Sequence, residues 1–394
     1  MFALFRALRP WIARGYQPKL SAVAEPLWAP PGAPAWPPLP ASRRTAGDRA
    51  WSILAFCPTY VAPDNAGPQA ETIAQVVAQL AAAQASLPAL RVVLVVGMQH
   101  QDEQQDEAIA RLGLLKAGAD GASVQFAGFL LPERGKVKSV NVALRTAAAM
   151  GADGLLQVDD DICLEPGCLV AMCRAFIDQG GRGAVGATKL GLPRQNSASR
   201  LLHWLKDITR PACNYPHACC MLVEVERFST GIPLRYVSDD GYICFRLLAP
   251  AAPRPFIDLT LVEDARCRHY VGGPLGPSIR RIRRMLLNHH ILMADAEPAV
   301  ARFYLRRILF PGLWPIGVLD LDPSKGIAVA AGRWGLRFLY FCWFTRIGLE
   351  LALRGLLDRP LEQVEWAGFV ERDAPRAVGG PSKTSRPMRT YRSA

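Results

Sequence analysis

Residues 154–167 read GLLQVDDDICLEPG, a short apolar run that leads into three consecutive aspartates. The run 154–158 is typical of a buried strand. Three neighbouring carboxylates repel one another unless a cation lies between them, and oxygen ligands favour Mg²⁺ or Mn²⁺. On an extended segment residues i and i+2 face the same way, so we expect Asp159 and Asp161 to share one metal while Asp160 points elsewhere. An acidic surface turn is the alternative.

Strand and helix patterns alternate on both sides of this stretch. Apolar runs predict further strands at 51–57, 91–96, 122–126 and 183–188, and helical periodicity predicts helices at 69–85, 103–116, 136–150 and 166–179. This alternation predicts an α/β fold with a doubly wound, mostly parallel sheet. Ligands of such folds bind at the carboxyl ends of the strands, which is where the sequence places the three aspartates.

Composition excludes several classes of protein. The chain has 394 residues, half of them hydrophobic, with 46 Lys and Arg against 34 Asp and Glu, a net charge of +12. These values exclude a disordered chain, a collagen and a small disulfide scaffold. The ten cysteines form no C-x-x-C pair, which disfavours a zinc knuckle and favours buried, reduced thiols in the cytoplasm.

The positive charge is unevenly distributed along the chain. Residues 51–265 are net −4, whereas residues 266–310 hold nine Arg against two acidic side chains. We divide the chain into an N-terminal amphipathic segment with a Pro-rich linker at 1–49, an α/β domain at 50–285, a helical membrane-associating region at 286–370 and a basic disordered tail at 371–394. The basic excess outside the acidic middle favours an anionic membrane surface over nucleic acid as a partner.

The most apolar later stretch is 327–344, and Arg333 and Arg337 interrupt it. Two central arginines would be costly in hydrocarbon, which disfavours a membrane-spanning helix. The two arginines are four residues apart, hence on one helix face, and aromatic residues surround them. This pattern predicts an amphipathic helix at the membrane interface. A buried C-terminal helix of the α/β domain is the alternative.

A second carboxylate pair, Asp239 and Asp240, follows Ser238 and opens a predicted helix at 242–248. Carboxylates at a helix N-terminus are stabilised in the ionised form, which suits a general base. Ordinary N-capping by Ser238, with acidic residues in the first turn, is the alternative.

Five segments within 51–248 resemble, in order, the catalytic domain of family 2 glycosyltransferases, the inverting GT-A type. The segments are CPTY at 57–60, GK at 135–136 with NVAL at 141–144, VDDD at 158–161 with EPG at 165–167, the strand at 219–226, and DDGY at 239–242 with Arg246.

The resemblance implies transfer of a sugar, with inversion, from a nucleoside-diphosphate sugar to a hydroxyl of a cell-envelope glycan or lipid. A UDP-sugar is the expected donor. Asp159 and Asp161 would hold the Mg²⁺ or Mn²⁺ that stabilises the leaving diphosphate. Asp240 would take the proton of the acceptor hydroxyl, and Asp239 would position that acceptor. The enzyme would be cytoplasmic and peripheral, on the inner face of the cell membrane.

Further residues are assigned to donor and metal binding on the same resemblance. The donor-binding residues would be Pro58, Thr59, Tyr60, Lys136, Asn141, Asp159 and Asp160, and His269 would be a further metal ligand. Arg281 and Arg284 are added because residues 280–284 predict one basic helix face, which could bind the diphosphate, a phosphate of a lipid-linked acceptor or lipid head groups. The segment 278–285 lacks the Gln and Trp of the Q-x-x-R-W motif of processive relatives, which favours single transfer. A nucleotidyltransferase is disfavoured because no Gly-rich loop follows the first strand. A non-enzymatic basic membrane- or nucleic-acid-binding protein is the remaining alternative.

Overall fold

An eight-stranded sheet forms the centre of the computed structural model, which describes residues 2–17, 50–62, 65–132, 135–193, 216–236, 238–249, 255–271, 275–309 and 326–362. The strands run in the order β4-β3-β2-β5-β8-β7-β9-β6. Their bounds are β2 Trp51–Tyr60, β3 Leu90–Gln99, β4 Gln125–Leu131, β5 Gly154–Val158, β6 Ile162–Leu164, β7 Ala184–Pro193, β8 Cys220–Glu224 and β9 Leu259–Val271. A separate parallel pair joins β1 Tyr16–Gln17 to β10 Leu361–Glu362.

The sheet is α/β and mostly parallel, as predicted. Within the described ranges β2 pairs in parallel with β3 and with β5, β3 pairs in parallel with β4, and β7 pairs in parallel with β9. The strand β8 lies antiparallel between β5 and β7, so the predicted fifth strand does not extend the parallel run. Strand β8 comes from a part of the chain far from β5 and runs in the opposite direction to it. Local sequence pattern does not predict which distant strand pairs with β5 or in which direction.

Two strand bounds differ from the sequence prediction for identifiable reasons. Strand β2 continues through Pro58, which pairs with Gly97 of β3. On its other side, β2 pairs with β5 only through Ile53–Phe56. Because Pro58 lies beyond that paired stretch, its missing N–H interrupts no hydrogen bond between β2 and β5. Strand β4 begins at Gln125, later than expected, because the preceding helix reaches Gly121 and Ser123 takes a left-handed turn with φ 57.

Helices cover both faces of the sheet. They are α1 Phe2–Arg14, α2 Ala66–Ser86, α3 Gln105–Gly121, α4 Lys136–Ala149, α5 Cys168–Asp178, α6 Asp239–Leu247, α7 Leu275–Asp295, α8 Pro298–Tyr304 and α9 Gly326–Leu356. Alternate residues of β2 enter opposite cores: Ile53 packs with the helices α2 and α5, whereas Leu54 packs with α4, α6 and α7. Both residues are fully buried, as expected for central parallel strands.

The N-terminal helix docks on the C-terminal helix. A Cβ added at Gly15 would lie 1.9 Å from the carbonyl oxygen of Leu351, and one added at Gly355 would lie 1.9 Å from that of Trp11. Two glycines therefore allow α1 and α9 to approach closely. Arg9 also donates a hydrogen bond of 2.8 Å to the carbonyl oxygen of Ala294 at the end of α7.

The expected domain boundary at residue 285 falls inside α7, which runs unbroken from Leu275 to Asp295. Leu286 and Leu287 belong to the same core as Leu54 of the central sheet. The helices at the C-terminal end thus share a hydrophobic core with the sheet. The Pro-rich linker at 24–41 and the basic tail at 371–394 lie outside the described residues.

Helix α9 is buried on one side and exposed on the other. Phe344, Ile347 and Leu351 join the core. The exposed apolar residues on α9 are Ile327, Trp334, Phe338, Leu339, Leu349, Leu353 and Leu356. The alternative of a buried C-terminal helix thus holds for one face, and the prediction of a membrane contact concerns the other. In the part of the chain that the structure covers, no helix combines the length and apolar character needed to cross a membrane.

The prediction that most cysteines are buried is confirmed for the described residues. The nine that lie among the described residues form no disulfide, and all but Cys163 and Cys342 are buried. The buried cysteines act as small apolar core residues.

Candidate functional site

The three aspartates lie in the turn between β5 and β6, at the carboxyl ends of the parallel strands. Asp160 is buried and accepts hydrogen bonds from Thr59 Oγ1 at 2.7 Å and Gln69 Nε2 at 2.9 Å. Gln69 also donates to the carbonyl oxygen of Tyr60 at 2.6 Å. Asp160 therefore fixes the turn to the end of β2, and Thr59 contacts this carboxylate from its buried position.

Lys136 joins the two carboxylate segments. Its Nζ lies 2.7 Å from Asp159 Oδ1 and 3.6 Å from Asp239 Oδ2. Gln157, inside β5, donates a hydrogen bond of 2.7 Å to Asp239 Oδ2. The lysine is the first residue of α4, and the N–H of the preceding Gly135 donates to Gln99 Oε1 at 2.6 Å. The ends of β3 and β5 thus hold the ammonium group between the two aspartates.

Burial and neighbouring charges shift the pKa values of this group. Burial, helped by the negative charge of Asp161, raises the pKa of Asp159 to about 7, although Lys136 acts in the opposite direction. Burial by itself would lower the pKa of Lys136, but the charges of Asp159 and Asp239 outweigh it and raise that pKa above its ordinary value. Lys136 therefore stays a cation over the whole physiological pH range.

The predicted metal ligands fit a cation only in part. Asp159 and Asp161 are close enough for the charge of Asp161 to raise the pKa of Asp159. The ring of His269 on β9 has its Nδ1 2.9 Å from the carbonyl oxygen of Leu190. Among the residues that the structure covers, no group of three His, Cys, Asp or Glu could enclose a metal. Two carboxylates match the way Mg²⁺ is commonly held, with water and substrate phosphates as the other ligands.

Asp240 lies at the start of α6, with both carboxylate oxygens engaged. Oδ1 accepts from the hydroxyl of Ser238 and from the N–H of Gly241 at 2.8 Å, and Oδ2 lies 3.1 Å from His217 Nδ1. Burial opposes ionisation, but His217, Ser238 and the charge of Lys136 outweigh it, so the pKa of Asp240 is well below its usual range. Ser238 also accepts from Gly241 N at 3.3 Å, so the predicted helix cap is present too.

His217 is the residue of this site that sequence reasoning did not select. It lies just before β8, and the backbone N–H of Asp159 bonds to the carbonyl oxygen of Cys219 at 2.9 Å. The antiparallel pairing of β8 with β5 therefore brings the histidine to the edge that carries the aspartates. Its only signal in the sequence was a histidine in front of a predicted strand, which is too common to be specific.

Asn141, which the resemblance assigns to donor binding, bonds to the backbone of Ile232 through both atoms of its amide. Its Nδ2 donates to the carbonyl oxygen of Ile232 at 2.8 Å, and its Oδ1 accepts from the N–H of Ile232 at 2.6 Å. Gly231 lies against the same amide and has φ +85, a backbone conformation that glycine adopts readily. The amide thus ties α4 to the loop that leads to Ser238.

The remaining predicted residues lie on β2 and α7. Tyr60 ends β2, and Arg284 is half-buried on α7. The side chain of Arg281 lies outside the described residues. Arg283, between Arg281 and Arg284 in the sequence, forms an ion pair of 3.0 Å with Glu350 of α9. Part of the predicted basic face therefore contributes to the packing of α7 against α9.

The site as a whole combines a fixed cation, an acidic pair in the turn after β5 and a hydrogen-bonded Asp–His pair. No family model matches the chain, and no curated protein matches its sequence. What the site can do therefore follows from its own chemistry. A held cation suits a phosphorylated ligand, and a paired carboxylate and imidazole suit proton transfer from a hydroxyl.

Proposed function

We propose that the protein is an inverting glycosyltransferase, which moves a sugar from a nucleoside-diphosphate sugar to a hydroxyl of a cell-envelope glycan or lipid. The observation that carries this proposal is the bridge from Asp159 through Lys136 to Asp239. It puts a phosphate-compatible charge and a candidate proton-transfer centre side by side at the ligand-binding edge of the sheet. A UDP-sugar is the donor class that we would test first.

On the donor side, Asp159 and Asp161 would hold Mg²⁺ or Mn²⁺ together with the diphosphate. That ion, when bound, would offset the negative charge that develops on the leaving group. Lys136 would add a second, permanent positive charge next to the same position. Asp160, held by Thr59 and Gln69, keeps the turn rigid so that the two outer carboxylates stay in place.

On the acceptor side, the centre around Asp240 would take up the proton of the attacking hydroxyl. Asp239 would orient that hydroxyl, and its own position is set by Gln157 and Lys136. The hydroxyl would attack the anomeric carbon on the face opposite the diphosphate. Direct displacement from that face inverts the configuration of the carbon.

We also propose that the protein is peripheral, on the inner face of the cell membrane. The exposed side of α9 carries Trp334, Phe338, Leu349 and Leu353. Arg346 is exposed on the same helix. An apolar helix face combined with basic residues binds anionic lipid surfaces.

Vesicle sedimentation tests the membrane proposal. The double variant Leu349→Ser/Leu353→Ser should lose binding to phosphatidylglycerol vesicles, whereas Leu114→Ser, a change of an exposed leucine on α3, should not. Salt should release the wild-type protein, because exposed charges are screened within about 8 Å at physiological ionic strength. Equal binding of both variants would exclude α9 as the contact.

A panel of nucleotide sugars with Mg²⁺ or Mn²⁺ tests the enzymatic proposal. The wild-type protein should transfer sugar from one donor class and show a thermal shift with it. Asp161→Ala should abolish transfer while the fold is kept. The matched control is Asp120→Asn, which changes an exposed carboxylate on α3 and should leave transfer unchanged. Full activity of Asp161→Ala and Asp240→Asn would refute the assignment.

A further inference from the structure

The acceptor-side carboxylate is itself a poor proton acceptor. Both oxygens of Asp240 already receive donors: Ser238 and Gly241 on Oδ1, and His217 on Oδ2. Each donor favours the ionised form, and together they hold the pKa of Asp240 well below its usual range in spite of burial. A carboxylate this stable in its ionised form gains little by taking a proton from a hydroxyl.

The geometry fixes the tautomer of His217. An ionised carboxylate can only accept hydrogen bonds, so the proton in the 3.1 Å contact with Asp240 belongs to Nδ1 of the ring. In a neutral imidazole the other nitrogen, Nε2, then carries the basic lone pair. The side chain of His217 is 26% exposed, so the ring reaches the surface of the site.

We propose that Nε2 of His217 is the atom that takes the proton from the acceptor hydroxyl, and that Asp240 is the positioning residue that holds the ring. This proposal rests on the glycosyltransferase function proposed above. The acceptor O–H bond breaks, its proton goes to Nε2, and the oxygen lone pair forms the new bond to the anomeric carbon. The bond from that carbon to the diphosphate breaks, and the diphosphate leaves with the bonding electrons. Asp240 stabilises the imidazolium that results.

The groups around the ring permit this role. Asp240 faces it from α6, and His289 interacts with both members of the pair from α7. Burial lowers the pKa of His289 to about 4, so that histidine is neutral at physiological pH and does not compete for the proton. Cys219 follows on the same segment and interacts electrostatically with His217 and Lys136. Lys136, on α4, acts on Asp240 as a fixed cation and favours its ionised form.

The decisive variant is His217→Asn. The amide nitrogen of an asparagine can take the place of Nδ1 and keep the hydrogen bond to Asp240, but it offers no basic atom. We expect a melting temperature and a donor-induced thermal shift like those of the wild type, with kcat for transfer reduced about 10²- to 10⁴-fold. Free imidazole should restore part of the rate to His217→Ala.

The outcomes separate this proposal from the function on which it rests. If His217→Asn stays within threefold of the wild type, His217 only supports Asp240 and the proposal is wrong while the transferase function stands. If Asp240→Asn abolishes transfer and His217→Asn does not, Asp240 is the base. If the wild type transfers sugar from no nucleotide donor, the function fails and this proposal fails with it.

Discussion

Replacing Lys136 by methionine tests the central contact of the site. The change keeps most of the side-chain length and removes the positive charge, so that Asp159 and Asp239 lose the ammonium that lies 2.7 Å and 3.6 Å from them. Removing one partner of a buried ion pair leaves the other charge without compensation, which costs about 3–5 kcal/mol. We therefore expect a substantial loss in the free energy of unfolding.

The exposure of the three side chains determines how large the loss in the free energy of unfolding should be. Lys136 and Asp159 are 22% and 23% exposed and Asp239 is 5% exposed, so water screens part of the interaction. We expect Lys136→Met to lose about 2–3 kcal/mol at pH 8.5, below the fully buried case. Urea denaturation measures this loss, provided that the dependence on urea concentration stays the same in both proteins.

The loss should depend on pH in a defined direction. The folded-state pKa of Asp159 is raised to about 7 from 3.8, so its contribution to stability is present below about pH 4 and is lost as the pH rises through 7. Without Lys136 that pKa rises further. Below pH 6 Asp159 is protonated in both proteins, so that only the 3.6 Å contact with Asp239 is lost and the difference between the proteins should be smaller. Above pH 7 only the wild type can pair the ionised form, so the difference should widen.

Lys116→Met is the matched control. Lys116 pairs with Asp120 on the surface of α3, with 38% and 54% of the side chains exposed, and such pairs contribute less than about 1 kcal/mol. The double variant Lys136→Met/Asp159→Asn should recover most of the loss, because it removes the unpaired charge. The reasoning is refuted if Lys136→Met loses no more than Lys116→Met at pH 8.5, or if its loss is the same at pH 5.5.

Four further changes test local packing and helix capping by urea or thermal denaturation. Gly355→Ala should lower the free energy of unfolding by about 2 kcal/mol. Its Cβ would lie 1.9 Å from a backbone oxygen of α1, and the resulting overpacking costs about 3 kcal/mol, whereas the higher helix propensity of alanine stabilises by only about 1 kcal/mol. Gly335→Ala lies in the same helix, where an added Cβ would have nothing within 4 Å, and should raise the free energy of unfolding by about 1 kcal/mol. A similar change in the stability of the two variants would contradict the docking of α1 on α9. Asn141→Ala should lose about 2–4 kcal/mol, because both main-chain groups of Ile232 lose their partner, and an unchanged melting temperature would contradict that role. Ser238→Ala should lose about 1 kcal/mol through the missing helix cap, and a gain in melting temperature would argue against the cap.

Local sequence pattern was sufficient for most of the sheet and for the position of the acidic turn. Apolar runs between helical stretches predicted five strands, and the run before Asp159 coincides with β5. Spacing along an extended segment also predicted that Asp160 points away from its neighbours, and Asp160 is bonded to Thr59 and Gln69. These features depend on residues within a few positions of each other, where backbone geometry alone relates their directions.

Tertiary structure alone decided which distant groups meet. The insertion of β8 beside β5 brought His217 to Asp240, and the start of α4 brought Lys136 to both Asp159 and Asp239. It also placed α1 against α9, where the sequence suggested two separate amphipathic segments. Periodicity determines which face of an element is buried, but the partner of that face is chosen by packing over the whole chain. The sequence therefore determined the strands and the turn that present these side chains, and the fold determined which charges they pair with.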